Sequence, residues 1–178
     1  EKILPGGVRS EVAPEWTPDG KAITFNDFPR LGMPLKGIQR FDLTTKQITI
    51  IPGSEGFYVG SWSPNGKYMV AVAQNPSRLM LYDVPAQSWA TVRVFDAPWG
   101  YFVWTRDSRS ILFAQVISDR GIFRLTIPEG KWERIVALDG IKADDGINEA
   151  FLNLTADGRP AIMNDTSVVQ VYALKWKH

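Results

Sequence analysis

Trp16-Thr-Pro-Asp-Gly-Lys21 recurs further along the chain as Trp62-Ser-Pro-Asn-Gly-Lys67, as Trp104-Thr-Arg-Asp-Ser-Arg109 and, weakened, as Leu154-Thr-Ala-Asp-Gly-Arg159. The copies begin 46, 42 and 50 residues apart, close to the ~40–50 residues of one four-stranded propeller blade. Four copies predict four blades.

Each copy reads as a hairpin. Pro presets φ, Asp or Asn bonds the backbone two residues on, and Gly takes positive φ. Short β-rich runs follow at 21–25, 67–73, 110–115 and 159–163, too short for helices and bounded by breakers. A third strand aligns as Ile38–Leu43, Leu79–Val84, Ile122–Ile127 and Val169–Leu174, with alternating apolar residues that bury one face against the next blade. Polar turns then lead to fourth strands at 47–51, 89–95 and 132–138. No segment longer than ten residues carries helical periodicity, so the expected fold is all-β: a β-propeller of four blades, each a four-stranded antiparallel sheet. The blades are expected at about 8–53, 57–96, 99–140 and 148–178 with 1–7 added, as a single domain.

Counting strands exposes an imbalance. Blade four has strands near 150–154, 159–163 and 168–176, and the sequence stops at His178 before an outer strand. Glu1-Lys-Ile-Leu-Pro-Gly-Gly7 matches the outer strand Ile48-Thr-Ile-Ile-Pro-Gly53 and reads as the missing piece. Pairing an open sheet edge is favourable. The N-terminal strand is therefore expected to complete blade four of its own chain, or that of a second copy in an eight-bladed homodimer by strand exchange. A third reading makes the chain part of a larger propeller. Beginning at Glu1 rather than Met, the chain also leaves processing or an upstream segment open.

The composition, 44% hydrophobic and 22% charged with a net charge of +1, is that of an ordinary globular domain. No Lys/Arg-rich run marks a nucleic-acid footprint, and no apolar stretch reaches the ~18–20 residues of a membrane span. Neither partner is expected of this segment, which reads as soluble, with a periplasmic or extracytoplasmic setting favoured over the cytoplasm. Cysteine is absent, excluding disulfides and thiolate metal sites.

The motif Trp-Ser/Thr-Pro-Asp/Asn-Gly-Lys followed by a β-run resembles the TolB-like, WD-repeat-like bacterial propeller family over essentially the whole chain. The stretch Leu154–Leu174 is similar to propeller regions that follow a winged-helix or kinase domain. The resemblance implies a sensory or interaction role without catalytic residues. Two departures stand out: Leu154 replaces Trp in blade four, and Arg106 and Ser108 replace Pro and Gly in blade three.

Several residues invite a chemical reading. Asp19, Asn65, Asp107 and Asp157 could form a ring of carboxylates and amide, but each occupies a turn position that wants Asp or Asn. Trp16, Trp62 and Trp104 read as blade-to-blade core rather than a sugar platform. Asp144, Asp145 and Glu149 lack the alternate-residue spacing of a calcium loop, and the segment Asn26–Gly37 reads as either a functional loop or a blade-edge cover. With His178 the only histidine there is no Ser/His/Asp set, and no glycine-rich phosphate loop. No cofactor or metal is expected.

A protein or small-molecule ligand is expected at the rim, where connecting loops enter the innermost strands. The residues placed there are Arg9, Glu11, Tyr58, Trp99, Tyr101, Asn148 and Glu149. The leading expectation is thus a non-catalytic binding and assembly module within a larger sensor or regulator. The alternative is the substrate-gating propeller of a peptidase, or a propeller lyase.

Overall fold

A computed structural model describes residues 11–27, 35–73, 77–95, 102–115, 119–141 and 152–163. Blade one contains β1 (Glu11–Trp16), β2 (Ala22–Asp27), β3 (Gln39–Asp42) and β4 (Ile48–Ile50). Blade two contains β5 (Phe57–Trp62), β6 (Tyr68–Ala73), β7 (Arg78–Asp83) and β8 (Ser88–Val94), and blade three β9 (Phe102–Trp104), β10 (Ser110–Gln115), β11 (Gly121–Thr126) and β12 (Trp132–Ala137). Blade four is described through β13 (Leu152–Leu154) and β14 (Pro160–Ile162). Each sheet is an antiparallel meander with strands in sequence order, and the described residues contain no helix. The proposed N-terminal strand and the stretch 168–176 lie outside the described residues.

The repeated motif forms its hairpin through one bond pattern. In blade one the Thr17 hydroxyl donates to Asp19 Oδ1 at 2.6 Å and accepts the Ala22 N–H at 3.0 Å, while Lys21 N–H also reaches Asp19 Oδ1 at 3.0 Å. Ser63 with Asn65, and Thr105 with Asp107, repeat the pattern. The expected turn chemistry is what these residues do. At the fourth turn position Gly20 and Gly66 have φ of 67° and 69°, a region costly for a side chain. Ser108 adopts φ 60° there nonetheless, and its hydroxyl accepts the Asn65 N–H at 3.0 Å, tying the turns of blades two and three together.

Blade four departs from the pattern by one residue. Pro160 stands where Ala22, Tyr68 and Ser110 donate their N–H to the turn hydroxyl, and proline has none to give. Arg159 N–H bonds Thr155 Oγ1 instead, at 3.0 Å. Leu154 consequently pairs with Pro160, six residues on, whereas Trp104 pairs with Ile111, seven on. A shift of one residue exchanges the faces of a strand. It turns Ile162 toward blade three, beside Leu152 and Leu154.

Three apolar clusters lie in the seams between blades. Ile38 and Ile51 of blade one meet Met69, Ala71 and Tyr82 of blade two. Val70, Leu79 and Leu81 of blade two meet Trp104, Ile111, Phe113, Phe123 and Leu125 of blade three. Leu112, Ala114 and Ile122 of blade three meet Leu152 of blade four. The motif tryptophan of each later blade turns toward the blade before it: Trp62 Nε1 donates to Thr24 Oγ1 at 3.0 Å, and Trp104 Nε1 donates to the Ser61 carbonyl at 3.1 Å. Trp16 corrects the expectation of a uniform tryptophan core. It is 58% exposed, although Phe25 and Phe41 on the same face of blade one are buried.

Candidate functional site

The seam between blades one and two differs from the next in a single row of side chains. Register across blade one places Glu15 opposite Thr24, Thr24 opposite Arg40 and Arg40 opposite Thr49. The matching row in blade two is Ser61, Val70, Leu81 and Ala90. Paired residues in a sheet share a face, so blade one presents a polar row where blade two presents an apolar centre.

At the inner end of this row, Glu15 is half-buried and reaches across the seam. One carboxylate oxygen accepts the Trp62 N–H at 3.1 Å and the other the Ser61 hydroxyl at 3.2 Å. β-bulges in both inner strands, between Val12 and Glu15 and between Tyr58 and Ser61, bend the strands at this junction. Burial pushes the Glu15 pKa up from 4.5 to about 7, against the downward pull of the Trp62 and Ser61 hydrogen bonds.

Toward the motif turns the row opens into a cleft of about 520 Å³, lined by Asp19, Arg40, Trp62, Asn65 and neighbouring turn residues. Arg40 lies 3.2 Å from Asp42. The Asp19 carboxyl is held below its ordinary value by the Thr17 hydroxyl and then by the Lys21 N–H. Asp19 is therefore an ionised turn brace, while the indole of Trp62 and the guanidinium of Arg40 contribute an aromatic and a cationic surface. Arg124 of blade three occupies the place equivalent to Arg40 and lines a second cleft, of about 510 Å³, with Arg109, Lys131, Asp107, Glu129 and Glu133. There Arg124 pairs with Glu133 at 3.3 Å, as Arg40 pairs with Asp42 in the first cleft.

Of the rim residues expected from sequence, Glu11 opens β1 opposite Asp27, and half-buried Tyr58 lies in β5 opposite Val72. Both stand toward the start of an inner strand, the end away from the motif turns. Arg9, Trp99, Tyr101, Asn148 and Glu149 lie outside the described residues, as do Asp144 and Asp145. Sequence reasoning passed over Glu15, Thr24 and Arg40. The signal was the aligned column, in which Glu15 matches Ser61, Val103 and Asn153, and Arg40 matches Leu81 and Arg124.

No protein-family model matches the sequence, and no curated protein does. Solved structures do. TolB from Acinetobacter baumannii superposes with a TM-score of 0.64 at 22% identity, covering 89% of this chain and 39% of that one. The putative TolB from Agrobacterium tumefaciens gives 0.66 at 15% identity, covering 89% of this chain and 67% of that one. The β-propeller domain of the Trilobed protease from Pyrococcus furiosus, described as having an open velcro topology, gives 0.57 at 14% identity, covering 72% and 42%. The chain thus spans about two fifths of the Acinetobacter TolB and of the Pyrococcus domain. The fold is a TolB-like β-propeller.

Proposed function

We propose that this propeller is a non-catalytic module that binds a protein or a small polar ligand, within a larger sensor or regulatory protein. The observation that carries this reading is the blade one–blade two cleft, where Arg40 and the Trp62 indole flank a polar row that the next seam fills with Val70 and Leu81. Clefts with apolar walls and a few placed polar groups suit ligands. The recurring acids support a non-catalytic role, since Asp19 and Asp107 each accept a hydroxyl and a backbone N–H of their own turn. The rim around Glu11 and Tyr58, with Arg9, Trp99, Tyr101, Asn148 and Glu149, is proposed as a second contact surface.

Titration with acidic peptides and small carboxylates, followed by the Trp62 indole resonance, tests the cleft. Arg40→Leu, which copies blade two, is expected to abolish the response and preserve the fold. Alanine at Tyr58 and Trp99 tests the rim in the same titration. The second reading, the propeller of a peptidase, draws on the likeness to the Pyrococcus protease domain and on a Glu15 pKa in the range of a general acid or base. Peptide turnover by the chain, lost in Glu15→Gln, would favour that reading and overturn the first.

A further inference from the structure

A closed set of hydrogen bonds ties Glu15 to the wall of the blade one–blade two cleft. Its carboxyl Oε2 accepts the Trp62 backbone N–H at 3.1 Å. The indole of the same tryptophan donates from Nε1 to Thr24 Oγ1 at 3.0 Å, and that hydroxyl donates in turn to the Glu15 carbonyl at 3.3 Å. Trp62, which lines the cleft, is thus held at its backbone and at its ring by Glu15 and the cross-strand partner of Glu15, Thr24. The next seam is built differently: Ser61 and Val70 stand at the positions of Glu15 and Thr24, and the Trp104 indole goes to a backbone carbonyl.

The other carboxyl oxygen, Oε1, lies 3.2 Å from Ser61 Oγ. A backbone N–H can only donate, whereas a hydroxyl donates or accepts, so a proton on this carboxyl belongs on Oε1, where Ser61 Oγ receives it. The protonated acid keeps both bonds and brings no charge into the seam. The ionised form also accepts both bonds, but it leaves a half-buried charge without an ion-pair partner among the described residues, which is costly. The charged groups on the same face of blade one are Arg40 and Asp42 of β3, 3.2 Å apart, with Asp19 in the motif turn; β2 offers Ala22 and Thr24 to that face and β4 offers Thr49. From blade two, β5 offers Ser61 and Trp62, β6 Met69 and Ala71, and β7 the ionisable Tyr82 and, at the far end of the strand, Arg78. None of these charges acts on Glu15, whose pKa is raised by burial and lowered only by the Trp62 and Ser61 bonds.

We propose that Glu15 is a proton switch for the cleft: protonated, it holds Trp62 against Thr24, and ionised, it turns toward water, frees the tryptophan and weakens binding. The effect on binding rests on the ligand reading above, whereas the switch itself rests on the seam alone. Its sign follows from burial, which favours the neutral acid, so rising pH releases Trp62 and falling pH holds it. Ser61 sets the midpoint, because its hydroxyl pulls the Glu15 pKa down and removing that hydroxyl lets the pKa rise.

The Trp62 indole N–H resonance of the full chain, followed without ligand from about pH 5 to 9, tests the switch. It is expected to move along a single titration curve and to exchange faster with water above the midpoint, while the Trp104 indole resonance stays in place. Glu15→Gln, which copies the neutral acid in shape and bonding, is expected to hold the low-pH position throughout, and Ser61→Ala to raise the midpoint. A glutamate-rich peptide then reads the consequence: wild-type affinity is expected to fall by up to about tenfold per pH unit above the midpoint, and that of Glu15→Gln to stay level. A flat Trp62 curve, a curve shared by Trp104, one that persists in Glu15→Gln, or a midpoint that Ser61→Ala leaves alone or lowers would each overturn the switch. The expected curve together with a peptide affinity independent of pH would overturn its control of the cleft. The expected curve with no peptide bound at any pH would overturn the ligand reading and support the switch.

Discussion

The carboxylate of Glu15 in blade one accepts the backbone N–H of Trp62 in blade two at 3.1 Å, joining inner strands whose residues stand 47 apart in sequence. The N–H points off the free edge of β5, where the meander supplies no partner strand, and an unpaired amide at a partly buried edge is costly. A side chain from the preceding blade satisfies it.

The burial of that carboxyl, against which the bond works, carries a pH dependence. The folded-state pKa of Glu15 is raised to about 7 from 4.5 by burial, so the folded state holds the proton more tightly than the unfolded chain. Its contribution is fully present below about pH 4.5 and is lost as the pH rises through 7. Urea midpoints are expected to fall between pH 5 and 8, by up to about 3 kcal/mol in stability, and Glu15→Gln is expected to flatten that slope. An unchanged slope in the variant would remove Glu15 as its source. Asp19 and Asp107 act with the opposite sign, since turn hydroxyls and amides lower their pKa values; their contribution disappears only as the pH falls through those lowered values.

Ser108 combines a strained backbone with a useful hydroxyl, and two substitutions separate them. Ser108→Ala keeps φ 60° and loses the bond from Asn65 N–H, an expected loss of about 1–2 kcal/mol. Ser108→Gly loses the same bond but relieves a left-handed conformation that costs a non-glycine residue about 1 kcal/mol. Thermal unfolding should therefore rank wild type above Gly, and Gly above Ala.

Gly60 allows blade one to approach the inner strand of blade two. A Cβ there would lie 2.9 Å from Ile38 Cδ1 and 3.0 Å from Met69 Sδ. Gly60→Ala is expected to cost about 1–3 kcal/mol, as overpacking does, with partial recovery when combined with Ile38→Val. A double variant no more stable than Gly60→Ala would locate the cost elsewhere.

Pro160→Ala restores the N–H that the other three hairpins use. The expected outcome is a return of blade four to their register, with Leu154 opposite Ala161 in place of residue 160. Cross-strand α-proton contacts in isotope-edited spectra read this directly. Retention of the present pairing would mean that the packing of Ile162 in the blade three seam, rather than the missing donor, holds the register.

The parts of this protein legible in sequence were those whose causes are local. The strands expected at 47–51, 89–95 and 132–138 are β4 at 48–50, β8 at 88–94 and β12 at 132–137, since alternation and turn residues act within a few positions of one another. The polar row Glu15–Thr24–Arg40 was not legible, because its members are 9 and 16 residues apart and meet only when two hairpins set their registers. The rim residues rested on a topological expectation, and only Glu11 and Tyr58 among them fall in described strands.

Glu15 and Asp19 show where the division lies. What Asp19 does follows from its immediate neighbours, for the Thr17 hydroxyl and the Lys21 N–H that it accepts are each two residues away. What Glu15 does follows from the packing of blades, because the groups that bond it, Ser61 and Trp62, come from the next blade. Trp16 and Trp104 divide in the same way: one motif residue is exposed and its counterpart buried, since burial depends on what packs against a side chain and no residue carries that information in itself.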